Sequence, residues 1–269
     1  MRLLAALVVA ASFLVTPNAE NIATCGTAAY FPSEYVCYND TALCPTVYGL
    51  PTVPCSGSGG CYAPQALSCN MGTLGTLPKA SSPFTLTAFG TRETYRNVPV
   101  KACGNYLAIG ANARECTSCT GAGPGIQCSS YKGKTVLLPD GSMAADVPGG
   151  QYWYVNPRDG ILQFTKAANV APGVNSTTGW NATAQTLEIP GKEFAGQRVT
   201  VYENGFFEYD SPSHYWLACL RTLPGGNIGT GRSWRIYSSS PSNVEFKDCE
   251  KIKLIATAVD KKQGAYRYE

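Results

Sequence analysis

Histidine is nearly absent from this chain: His214 is the only one in 269 residues. A zinc hydrolase centre with two or three histidine ligands therefore cannot be built. Nor can a copper monooxygenase site, which needs two histidines. One histidine could still serve a Ser-His-Asp arrangement, but the chain has no Gly-x-Ser-x-Gly elbow. Lying in SPSHYWLAC at the entrance to a strand, His214 reads as a turn or interface residue. Charge is scarce too. Asp, Glu, Lys and Arg make up 14% of the chain, and the formal net charge is +3. That gives no broad basic field for nucleic acid, and Lys251, Lys253, Lys261 and Lys262 read as solvated surface. Beyond residue 15 no apolar run is long enough to span a bilayer. The polar end DKKQGAYRYE lacks the hydrophobic tail of a lipid-anchor signal, so no membrane anchor is expected. No long stretch keeps the 3.6-residue apolar period of a helix. Glycoside hydrolysis would need two carboxylates. Asp140, Asp146, Asp159, Glu188, Glu193, Glu203, Glu208 and Asp210 are available, but no pair sits in a catalytic pattern. No catalytic residue, metal or cofactor is expected.

What is present points outside the cell. Arg2, the apolar run Leu3 to Val15, Pro17 and Ala19 read as a secretory signal peptide over 1–19, with Ala23 an alternative cleavage point. Three glycosylation sequons agree with export, at Asn39, Asn175 and Asn181. The twelve cysteines are an even number in an oxidising compartment, and disulfides are expected of all of them.

Their spacing divides the chain. Cys25, Cys37, Cys44, Cys55, Cys61 and Cys69 crowd into a stretch too short to bury an adequate core, which needs staples. A small disulfide-rich module is expected over 25–70. Its pairing stays open, and its many Gly and Pro residues predict turns. Residues 71–96 read as a linker by their Gly/Thr/Ser/Pro bias, with FTLTAF alternating like an edge strand. From 97 to 269 the segments read as strands, and an all-β domain, sandwich or barrel, is expected. QYWYVNPRDGILQFT is two strands split by a turn, and QRVTVYENGFFEYD splits at Asn204-Gly205, a strong hairpin signal. Cys103, Cys116, Cys119 and Cys128 form a local cluster and Cys219 and Cys249 a late pair. The simplest pairing is two bridges within the cluster and one between the late pair. The Cys116-to-Cys119 C-x-x-C has loop flanks rather than a helix, which argues against a redox site.

The N-terminal frame carries a specific pattern. It reads Cys25-Gly26, Tyr30-Phe31-Pro32-Ser33-Glu34-Tyr35, Cys37-Tyr38, Leu43-Cys44-Pro45, Gly49, Cys55, Cys61-Tyr62-Ala63-Pro64 and Cys69. This resembles the small carbohydrate-binding module of fungal endo-1,3(4)-β-glucanases, over roughly residues 25 to 75. Two positions depart from that pattern. Ser56 to Gly60 replaces a Cys-Gly-Asp-like turn, and Leu67-Ser68 stands where a Tyr is common. The resemblance implies a fungal cell-wall context and β-glucan as ligand.

The residues support sugar binding on their own. A pyranose presents an apolar C–H face that packs on an aromatic ring and a rim of hydroxyls that needs polar partners. Tyrosine offers a ring and a hydroxyl at low entropic cost. Tyr30, Phe31, Tyr35, Tyr38 and Tyr62 are the candidate stacking rings, and Glu34 is a candidate hydroxyl partner. A disulfide knot has little interior, so several rings must stay exposed, and grouped exposed rings mark a binding face. The expected function is a secreted, non-catalytic, carbohydrate-binding protein of the fungal cell wall. Its partner would be β-1,3-glucan or chitin. Two alternatives are a β-glucanase with an unfamiliar catalytic domain and a secreted protein-interaction or effector protein.

Overall fold

The structure is a computed structural model. It describes residues 21–110, 115–119, 122, 126–147, 150–156, 159–165, 199–209, 215–222, 232–239 and 246–269. The expected signal peptide, the sequons at Asn175 and Asn181, and His214 lie outside the described residues. All twelve cysteines lie within them and form six disulfides.

The N-terminal region is a run of short antiparallel hairpins. Ala23–Cys25 pairs with Ala28–Tyr30, and Tyr35–Tyr38 with Ala42–Val47, which also pairs with Leu50–Pro51. Val53–Pro54 then pairs with Cys61–Tyr62, and Leu67–Asn70 with Thr73–Thr76. No single hairpin of this size is stable alone. Each disulfide ties one hairpin to the next: Cys25–Cys37, Cys44–Cys61 and Cys55–Cys69. Loops of these lengths give about 3 kcal/mol per bridge in the chain-entropy account. The module's buried residues are mainly the staples themselves, Cys25, Cys44 and Cys55, with Leu50 and Thr52. Gly26 shows how tightly the turns meet. Its φ is +59°, and a Cβ there would lie 2.7 Å from the carbonyl oxygen of Asp40.

The stretch 71–96, expected as a linker, carries two strands. Thr73–Thr76 closes the last hairpin of the module. Phe84–Gly90 enters a nine-stranded sheet, where it pairs with Cys249–Ala258 on one side and the two-residue Val98–Pro99 on the other. It is thus one strand in from the edge. Its strict alternation of buried and half-buried residues, Phe84, Leu86 and Ala88 inward, is the pattern that marked it in sequence.

Across the sheet the order continues through Trp216–Thr222, Arg232–Ser238, Tyr106–Ile109 and Leu162–Phe164 to Trp153–Val155, all antiparallel, with Lys101–Cys103 paired to Tyr106–Ile109 off this path. Cys219 and Cys249 stand directly opposite each other on adjacent strands and are bridged. One face of the sheet packs on a second layer formed by the hairpin Val199–Val201 with Phe207–Tyr209, the segment around Leu137 and Met143, and Ala265 and Tyr268. The shared core holds Phe84, Trp153, Phe164, Phe207, Trp216 and Tyr268. Each such side chain contributes about 1.5–3 kcal/mol by leaving water. The result is layered like a sandwich and does not close into a barrel. Among the described residues there is no α-helix.

The module docks on the other, outer face of the sheet. Leu50 and Ala66 pack with Phe206, Ile255, Phe89 and Tyr202. Backbone bonds join the same parts: Phe206 N–H donates to the Gln65 carbonyl at 2.9 Å, Glu203 N–H to Pro78 at 2.9 Å, and Ala80 N–H to Val201 at 2.8 Å.

Candidate functional site

The first two rings are set by one turn. The carbonyl of Phe31 accepts from the N–H of both Glu34 and Tyr35, each at 3.0 Å. Pro32-Ser33 favours such a turn because Pro fixes φ and serine tolerates the bend. The carbonyl of Glu34 then accepts from Thr46 N–H at 2.6 Å and from its hydroxyl at 3.0 Å. This pins the turn to the neighbouring strand. Phe31 stays 41% exposed and Tyr35 37%. The Glu34 side chain is exposed beside them.

The other candidate rings are placed differently. Tyr35 and Tyr38 belong to the same strand at odd separation, so they point to opposite faces. Tyr38 is half-buried, and its hydroxyl donates to the Thr52 carbonyl at 2.9 Å. It braces the hairpin against the next segment. Tyr30, half-buried, ends the strand Ala28–Tyr30 opposite Ala23. Tyr62 is half-buried opposite Val53. The structure therefore brings together Phe31, Glu34 and Tyr35, and it gives Tyr38 a bracing role.

Residues not singled out in the sequence complete this face. Pro45 lies opposite Tyr35 in register, and Val47 follows two positions on, so both share the face of Tyr35. Pro45 is exposed and Val47 is 47% exposed. Alternation along Ala42–Val47 was the signal that could have found them. Among the described residues, six of the seven exposed large hydrophobic residues lie in the module region: Ile22, Phe31, Tyr35, Val47, Met71 and Leu74, with Tyr215 the seventh. Of these, Tyr35 and Val47 share one face with Pro45. The module is almost uncharged. Between residues 21 and 78, Glu34 and Asp40 are the only charged side chains. Asn39, the acceptor of the first sequon, is exposed at the tip of the hairpin, at the far end of the strand from Tyr35.

Several carboxylates of the β-domain are engaged by neighbouring groups. Asp140 caps its own turn, accepting from Ser142 N–H at 2.9 Å and its hydroxyl at 2.6 Å. Asp146 accepts from the Tyr131 hydroxyl at 2.8 Å. Glu208 pairs with Lys253 at 3.4 Å. Burial raises the pKa of Asp159, whose Oδ1 accepts from Ile161 N–H at 3.1 Å. Burial also raises that of Glu115, held by Thr135. Glu188, Glu193 and Asp210 lie outside the described residues. No group of three or more His, Cys, Asp or Glu among the described residues could hold a metal ion.

No curated protein and no solved structure matches the chain. Residues 24–74 match the family model described as Carbohydrate binding, which supports a carbohydrate-binding N-terminal module with a carbohydrate as its partner.

Proposed function

We propose that this is a secreted, non-catalytic protein of the fungal cell wall that binds β-1,3-glucan, or chitin, through the face formed by Phe31, Glu34, Tyr35, Pro45 and Val47. The observation that carries this reading is the pair of exposed rings on one turn of the matched module. Phe31 and Tyr35 offer apolar faces to pyranose C–H groups, and the Tyr35 hydroxyl and Glu34 carboxylate offer partners for sugar hydroxyls. The near absence of charge suits a neutral polymer rather than an ionic one. A frame cross-linked by three disulfides holds the rings in place before binding, so little entropy is lost on contact.

The test is depletion from solution. The full oxidised chain is spun with curdlan, chitin and cellulose. The reading predicts removal by curdlan or chitin and recovery in the supernatant over cellulose. A chain that stays in solution with all three polymers would overturn it.

A further inference from the structure

The outer face of the sheet carries a second cluster of rings and polar groups, at the edge opposite the docked module. Tyr154 stands across from Gln163, and Gln163 across from Tyr106, on three successive strands. Directly opposed residues share a face, so the three form one row. All three are half-buried, and Tyr106 packs against the cluster of Ile161, Leu217 and Tyr237. Their strands lie about 20 Å across the sheet from the strand that holds Ile255, at ordinary strand spacing.

The row is ordered before any ligand arrives. The Tyr154 hydroxyl donates to Gln163 Oε1 at 2.9 Å, and Asn156 Nδ2 donates to the same oxygen at 3.5 Å. The acceptor of Gln163 is therefore used, while its Nε2 hydrogens donate to no partner among the described residues. Arg235, 8% exposed, lies over the Tyr106 ring at 3.9 Å and fixes its orientation. Asp159, half-buried, uses Oδ1 for the Ile161 N–H. Its carboxylate also accepts from its own backbone N–H, and it lies close enough to Tyr154 and Arg235 to act on them electrostatically.

We infer that Tyr154, Gln163, Tyr106 and Asp159 form a second carbohydrate site, on the β-domain, for a neutral oligosaccharide. The two rings stand two strands apart, about 10 Å, so a pair of linked pyranoses can span them. The Gln163 amide donor and the Asp159 carboxylate acceptor match the mixed donor and acceptor needs of neighbouring sugar hydroxyls. The site does not depend on the module binding sugar. The module and the row sit on the same face of the sheet, so one polymer could engage both, and the effective concentration of the second contact would strengthen the first.

The test uses the full oxidised chain, with laminarihexaose, cellohexaose and chitohexaose as probes in calorimetric titrations. Four proteins are compared: wild type, the Phe31→Ala/Tyr35→Ala variant, that variant with Gln163→Glu added, and Gln163→Glu alone. Gln163→Glu keeps the acceptor used by Tyr154 and Asn156 and removes the amide donor, so these local hydrogen bonds survive. Tyr154→Phe is a further check that keeps the ring. The inference predicts residual binding of one hexaose in the Phe31→Ala/Tyr35→Ala variant, weakened about tenfold or more by Gln163→Glu. If Phe31→Ala/Tyr35→Ala abolishes all binding, the second site is refuted and the module reading stands. If Phe31→Ala/Tyr35→Ala binds as wild type while Gln163→Glu weakens binding, the module face is refuted and the second site stands. If residual binding is unmoved by both Gln163→Glu and Tyr154→Phe, the row is not the site.

Discussion

At the scale of single residues, burial separates rings that composition alone treats as equals. Phe31 and Tyr35 are exposed, whereas Tyr38 is half-buried with its hydroxyl engaged by Thr52. A stranger case is Tyr95, 1% exposed, its hydroxyl without a hydrogen-bond partner among the described residues and its ring edge-on to Trp234 at 5.0 Å. Burial first, and the Glu250 carboxylate second, push its pKa up to about 12, with Arg92 acting the other way. An unfolded tyrosine ionises at about 10. The folded form therefore holds its proton longer, and stability that is full below pH ~10 falls as pH rises toward ~12. Tyr95→Phe removes this effect. Since no hydrogen bond is lost, the neutral-pH change is expected to stay within about 1 kcal/mol. Urea midpoints measured between neutral pH and pH ~11 should fall less steeply in the variant, with a residual slope from Tyr268, whose pKa burial also raises. Equal slopes would contradict this.

At the scale of elements, the alternating runs and turn signals were legible and the docking was not. Trp153–Val155 and Leu162–Phe164 pair across the Asn156-to-Gly160 turn as their pattern predicts, and the Asn204-Gly205 hairpin forms. These elements are specified locally, by period and turn chemistry. Composition marks 71–96 as linker-like with a strand in FTLTAF, but it does not show that Ala80 N–H donates to the Val201 carbonyl, more than a hundred positions away. No local pattern encodes such a contact. Alternation along Ala42–Val47 puts Pro45 and Val47 on one face in the sequence itself, but that this face is the exposed one, shared with Tyr35, depends on the strand paired opposite. Gly205 shows the docking most sharply. A Cβ there would lie 2.7 Å from the Gln65 carbonyl oxygen and 2.7 Å from Leu77 Cδ1. Gly205→Ala is therefore expected to destabilise the chain by about 1–3 kcal/mol and to loosen the module from the sheet. Limited proteolysis should cut the variant between residues 77 and 83 faster than wild type, while the disulfide-stapled module survives intact. Unchanged cleavage and melting would show that the junction tolerates the methyl group.

At the scale of the whole molecule, two stabilising logics meet. The module rests on covalent staples because its chain is too short for a core, and the β-domain rests on the buried cluster around Phe84, Phe207 and Trp216. The packed junction through Leu50, Phe206 and Ile255 makes the sheet a platform that presents the module in a fixed orientation. The cysteine frame and its aromatic spacing made the candidate module legible in sequence. Which ring is free to stack was not legible, because that follows from strand parity and one hydrogen bond. The central claim is that Phe31 and Tyr35, and not Tyr38, carry polysaccharide binding. The most direct test is a curdlan binding isotherm for the full oxidised Phe31→Ala/Tyr35→Ala and Tyr38→Phe variants beside wild type. The account predicts at least about tenfold weaker binding for the first. For the second it predicts near wild-type affinity with a stability loss of about 1 kcal/mol. Wild-type affinity in the double variant, or lost affinity confined to Tyr38→Phe, would contradict it.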